Sequence, residues 1–153
     1  MTDFESFVGV LRRRAEHRPA HSAVRFRTGP EVEELAYGEL DRRAMAAAQW
    51  LAGQVAPGER VLVSCGPGTG FLRAFLACLY AGAVPVPVPL PGGFGRQESR
   101  TTAIAADTGA RLVLTDGPGL TAVHRWLEAE RADLPGLTAV EVESAEHAGD
   151  ADA

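Results

Sequence analysis

The 153-residue sequence contains no lysine and no asparagine. A P-loop needs a lysine to reach the terminal phosphates of a nucleotide, so that device is excluded. Cysteine is scarce: Cys65 and Cys78 stand thirteen residues apart, a spacing that fits neither a zinc pattern nor a Cys-x-x-Cys redox pair. Both are expected to be buried thiols in a reducing cytoplasm, where the protein is placed. Long hydrophobic runs are missing too. The most apolar stretch, Phe71 to Leu90, is broken by Arg73, Gly82 and three prolines, so no membrane span is expected. The first ten residues carry Asp3 and Glu5 and lack a basic region ahead of an apolar one, which argues against a secretory signal. Positive charge is in deficit: 20 acidic side chains against 15 arginines give a net charge of −5, which excludes the electrostatic footprint of a nucleic-acid partner.

What is present suits one domain with a real core, at 46% hydrophobic and 23% charged residues. Phe4, Phe7, Val8, Leu11 and Ala15 recur at helical spacing until Pro19, predicting an amphipathic first helix. Ser22 to Phe26 and Glu33 to Tyr37 read as short antiparallel strands around Gly29-Pro30. A helix follows from Glu39 to Gly53, with Leu40, Ala44, Ala47, Ala48 and Leu51 on one face. After Pro57-Gly58 the pattern becomes strand then helix, repeatedly: strands at Arg60 to Cys65, Ala83 to Val88, Arg111 to Thr115 and Thr138 to Val142, and helices at Thr69 to Ala81, Arg96 to Asp107 and Leu120 to Arg131. Such alternation predicts an α/β fold, a mostly parallel sheet flanked by helices and preceded by a small helix and antiparallel strands. Domain limits are placed at 1–142, with 143–153 an acidic linker or disordered tail because it lacks an apolar face. Pro85, Pro87 and Pro89 alternate with valines, which silences the donors along one side of that strand and predicts an edge strand, or a partly polyproline-like one.

Candidate chemistry is thin. Cys65-Gly66-Pro67-Gly68-Thr69-Gly70 joins a predicted strand to a predicted helix, where glycines bring backbone N–H groups toward a phosphate. A dinucleotide fingerprint would require glycine at position 71, which is Phe71, and an acidic end to the next strand, which is Pro89-Leu90-Pro91. A plain strand-to-helix turn is the better reading. His17, His21, His124 and His147 are scattered without partners at metal-ligand spacing, so no metal site is expected. Ser64 lacks the Gly-x-Ser-x-Gly context of a strained nucleophile. Glu39 with Asp41 fits a helix start, and Glu31 with Glu33 and Glu34 a solvated loop. Arg73, inside an apolar helix, is expected to pair locally or extend to water rather than hold a ligand. No catalytic residue is assigned, and no cofactor-binding residue is identified.

Several ordered blocks nevertheless resemble the amino-terminal part of the adenylate-forming, AMP-binding ligases. Leu35-Ala36-Tyr37-Gly38-Glu39-Leu40 is similar to that family's first core motif, and Pro57-Gly58-Glu59-Arg60-Val61-Leu62-Val63 to its "PGDRV" strand. Phe71 to Pro87, with Cys78-Leu79-Tyr80-Ala81-Gly82 at its centre, is the most specific block and takes the form used by the fatty acyl-AMP ligases. Arg100 to Asp116 resembles the helix and strand that follow in that subgroup. The resemblance implies ATP-dependent conversion of a fatty acid to an acyl-adenylate for transfer to an acyl carrier protein, with ATP and Mg2+ as cofactors of the complete enzyme.

The family's phosphate loop, its adenine and ribose contacts and its catalytic lysine match nothing in these 153 residues. The chain alone is therefore expected to be inactive and to hold no cofactor. Two readings stay open: an incomplete ligase, whether a fragment, a truncated gene product or one piece that works only with a second polypeptide, and a non-catalytic binding or interaction module derived from the ligase framework. A free-standing nucleotide-binding domain is disfavoured by the failed fingerprints.

Overall fold

A computed structural model of the chain describes residues 5–93 and 95–151. Phe4, counted above in the first helical pattern, lies outside them. The first helix, α1 (Phe7–His17), is opened by the Ser6 hydroxyl, which accepts from the Gly9 N–H at 3.1 Å. A hairpin of β1 (Ser22–Thr28) and β2 (Glu31–Ala36) follows, turning at Gly29-Pro30, and leads into α2 (Tyr37–Ala52). The expected face of α2 is the buried one, from Leu40 to Leu51.

The second half supplies a parallel sheet of β3 (Arg60–Val63), β4 (Val84–Pro87), β5 (Leu112–Thr115) and β6 (Thr138–Glu141), in the order β4-β3-β5-β6. Between the strands run α3 (Gly70–Tyr80), α4 (Gly95–Thr108) and α5 (Gly117–Ala129). Alternate residues of a strand face opposite sides. Val61, Val63 and Leu114 accordingly join Leu51, Ala74 and Cys78 in one cluster, while Leu62 and Val113 join Val88, Ala105, Val123 and Trp126 in another. Covering both faces in this way is the usual condition of a parallel sheet, and the α/β fold read from the sequence is the fold observed.

The proline strand takes the expected edge. Val84 N–H donates to the Glu59 carbonyl at 2.8 Å and Val88 N–H to the Val63 carbonyl at 3.0 Å, so the valines pair with β3 and the prolines fall on the unpaired side. The preceding turn explains the Tyr80-Ala81-Gly82 signature. Gly82 has φ +73°, its N–H donates to the Leu79 carbonyl and the Ala83 N–H donates to the Cys78 carbonyl. This double closure ends α3 with a residue in the left-handed region, where glycine has no steric penalty, and aims the chain into β4.

One expectation is corrected. The segment from 143 onward is no acidic linker: β6 continues into α6 (Val142–Ala151), with Val142, Ala145, Glu146 and Gly149 buried. Residues 152 and 153 lie outside the described ones. The helix gives little apolar signal because its inner face is made of small residues and one acid. Gly149 lets its backbone pass so near α2 that a Cβ there would stand 1.8 Å from the Ala46 carbonyl oxygen.

Candidate functional site

In open parallel sheets, ligands settle beyond the carboxyl ends of the strands where the chain order reverses. Here the chain leaves β3 for β4 on one side and returns to β5 on the other, so that point lies between β3 and β5. The turn Cys65 to Gly70 and the start of α5 meet there, as the sequence placed the glycine-rich turn.

The turn's donors are already engaged. Gly66 N–H donates to both Asp116 carboxylate oxygens, at 3.1 and 2.9 Å, and the same carboxylate accepts from Gly119 N–H at 2.9 Å. Asp116 is 4% exposed and opens α5, with Pro118 in the first turn. Thr69 gives its N–H to Glu33 at 3.2 Å and its hydroxyl to the same carboxylate. Glu33 therefore reaches from β2 to hold the turn instead of sitting in a solvated loop. Ser64 is buried and donates its hydroxyl to the Pro89 carbonyl at 3.2 Å, a structural bond. Burial, reinforced by the Asp116 charge, pushes the Cys65 thiol up to about 12, and burial alone does the same for Cys78. Neither is a thiolate at neutral pH.

Behind the turn stands Arg73, 4% exposed on α3. It pairs neither locally nor with water: Nη1 donates to Glu146 and Nη2 to Glu143, each at 2.5 Å, across to α6. Burial raises the Glu146 carboxyl above the usual range even beside this guanidinium, whereas the two acids raise Arg73 against the opposing effect of its burial. The Arg73 Nε and Glu143 Oε2 atoms are buried without partners.

The remaining candidates do not converge on this point. Glu39 pairs with Arg42 and Arg43, which lower its carboxyl through hydrogen bonds. Asp41 accepts from the Tyr80 hydroxyl at 2.7 Å. His17 bonds the Arg13 carbonyl within α1. Among the described residues no group of three metal-ligating side chains is found, and no helix is long and apolar enough to cross a membrane.

At the turn itself stand the carboxylates of Asp116 and Glu33, with the Glu143 and Glu146 pair to Arg73 behind them. Carboxylates occupy the backbone donors that a phosphate would need, and their charge repels one. The backbone donors of this turn, held by carboxylates, do not fit the phosphates of ATP. Sequence spacing gave no hint of Asp116 or Glu33 in these roles, although Asp116-Gly117-Pro118-Gly119 carries the acid-then-proline pattern of a helix start.

The sequence profile of AMP-binding enzymes matches residues 11–152. Over 118 residues the chain is 37% identical to a medium-chain-fatty-acid–[acyl-carrier-protein] ligase of Moorena producens, covering 74% of this chain and 20% of that protein. It is 32% identical over 126 residues to a 4-hydroxyphenylalkanoate adenylyltransferase of Mycobacterium marinum, covering 81% and 20%. The fold superposes with a TM-score of 0.80 on a fatty acyl-adenylate ligase from L. pneumophila crystallised with acyl adenylate and pyrophosphate, at 28% identity over 97% of this chain and 25% of that one. The chain spans about a fifth of the length of the curated relatives it matches.

Proposed function

Because the chain belongs to the AMP-binding enzyme family, we propose that it is the amino-terminal segment of a fatty acyl-AMP ligase and supplies framework rather than catalysis. The complete enzyme would join a fatty acid to ATP, release pyrophosphate and pass the acyl group of the adenylate to an acyl carrier protein. The observation that carries this reading is the family match over residues 11–152 together with 37% identity over 118 residues to a ligase several times its length. The fatty acyl preference is supported by the fatty-acid ligase from Moorena and by the Legionella relative that holds an acyl adenylate.

Within that reading each local device has a task. The Asp116 bridge fixes the β3 and α5 ends relative to each other, the Gly82 turn sets the β4 edge, and the Arg73 pair fastens α6. Nucleotide, magnesium and the lysine for carboxylate attack would be held by the rest of the fold, on the same or a complementary polypeptide. No step of the reaction is assigned to residues of this segment.

The test is titration of the 153-residue chain with ATP and MgCl2 by calorimetry, paired with pyrophosphate exchange in the presence of dodecanoate. Neither binding below millimolar concentration nor exchange is expected. Saturable micromolar ATP binding, or pyrophosphate exchange that depends on dodecanoate, would instead give this segment a nucleotide site and overturn the framework role.

A further inference from the structure

Two concavities meet at the amino-terminal helix. One, about 490 Å³, lies between the end of α1, the turn after it and the start of α2, and is lined by Arg13, Arg14, His17, Arg18 and His21. The other, about 310 Å³, lies between α1 and α3 and is walled by Phe7, Val10, Leu11, Leu72 and Leu76. Arg14 and Tyr37 line both, so the two adjoin at that pair. Arg14 is set at the junction: its Nη1 donates to the Tyr37 hydroxyl at 2.8 Å, and its guanidinium carbon lies 5.7 Å from the ring centroid.

Charge in the polar half is uncompensated. Glu5 neutralises Arg13, but Arg14 and Arg18 have no carboxylate partner among the described residues. Basic side chains at a helix end complement its dipole, which accounts for Arg14 and His17. Arg18, the C-cap, falls under the same account, but His21, which lies past the helix, does not, nor does Phe7, left 62% exposed at the mouth of the apolar half.

We propose that these two adjoining concavities bind one single-chain amphiphile with an anionic head, the head on Arg14 and Arg18 and the alkyl chain along Phe7, Val10 and Leu72. A simple polyanion would leave the apolar half unused, and a neutral apolar partner would strand the two guanidiniums. The site is built from α1, the β1 start, α2 and α3 alone, so its failure would leave the proposed ligase function untouched.

Calorimetry of the 153-residue chain with dodecyl phosphate, below its micellar concentration, tests this against inorganic phosphate and neutral dodecyl maltoside. Dodecyl phosphate is expected to bind at least tenfold tighter than either. Shortening it to decyl and octyl phosphate should weaken binding by about fourfold per methylene removed, as for buried alkyl groups, up to the length that fills the groove. Arg14→Gln should cost about tenfold, Phe7→Ser about fivefold, and Arg18→Gln serves if Arg14→Gln disturbs the Tyr37 contact. All three should melt like the parent protein. Equal binding of inorganic phosphate, equal binding of the maltoside, binding only to phosphatidylglycerol vesicles, or indifference to all three substitutions would each overturn the proposal.

Discussion

Replacing Arg73 with methionine tests the buried fastening of α6. The substitution keeps an unbranched side chain of similar length in α3 but leaves two carboxylates without their cation. Glu143 has a side chain 33% exposed and turns toward water at little cost, whereas Glu146, at 9%, keeps its desolvation. Stranding one partner of a buried pair costs about 3–5 kcal/mol, and the exposure of Glu143 places the expected loss near the lower end. With an m-value of about 1.5 kcal/mol/M in urea, a loss of about 3 kcal/mol lowers the midpoint by about 2 M. Trp50, packed against the cluster that contains Val142 and Ala145, reports the transition by fluorescence. Glu146→Gln is the contrast: Arg73 keeps an acceptor and Glu143, so the cost should stay under about 1 kcal/mol.

The pH dependence has a definite sign. Without Arg73 the Glu146 carboxyl, already raised by burial, rises further. Between the unfolded value of about 4.3 and that raised value, the folded variant binds a proton that the unfolded chain does not. Its stability therefore falls as pH rises through the window, and the gap to the parent protein narrows from pH 7 to pH 5. An Arg73→Met loss below about 1 kcal/mol, or a Glu146→Gln loss as large as that of Arg73→Met, would refute the reasoning.

Three further outcomes are expected. Gly149→Ala must push α6 away from the Ala46 carbonyl, costing about 2 kcal/mol and lowering the melting point by about 4–8 °C in calorimetry. Asp116→Ala leaves the Gly66 N–H buried without an acceptor and removes the side-chain cap of α5, while the Gly119 N–H keeps the backbone carbonyl of residue 116, for a loss of about 2 kcal/mol by urea unfolding, and Asp116→Asn should recover about half of it. Cys65 and Cys78, with thiols held near 12, should resist iodoacetamide at pH 8 by at least about a hundredfold relative to the urea-unfolded chain, measured by mass spectrometry.

The elements whose periodicity comes from large apolar residues were legible in the sequence. Val61 to Val63 and Leu112 to Leu114 announce strands buried on both faces, and the prolines of β4 announce its edge because a missing N–H acts locally. The last helix was not legible, since α6 buries alanine, glycine and a glutamate whose charge is met by an arginine seventy-three positions away. The same distance in sequence hid the partners of the glycine-rich turn. Its shape follows from Gly66 to Gly70, but its chemistry follows from Asp116 and Glu33, and only the folded chain brings those acids to its donors. The partners of Arg73 were hidden in the same way, because they stand on α6, about seventy positions away.

The central claim is that this chain is the framework of a fatty acyl-adenylating enzyme. Splicing residues 11–152 into the matching region of the Legionella pneumophila ligase tests it most directly, by measuring fatty acyl-adenylate formation from ATP and dodecanoate. The expected result is a folded chimera that forms the adenylate within about tenfold of the parent rate, while the 153-residue chain alone forms none. A chimera that folds and binds ATP yet forms no acyl-adenylate would contradict the claim.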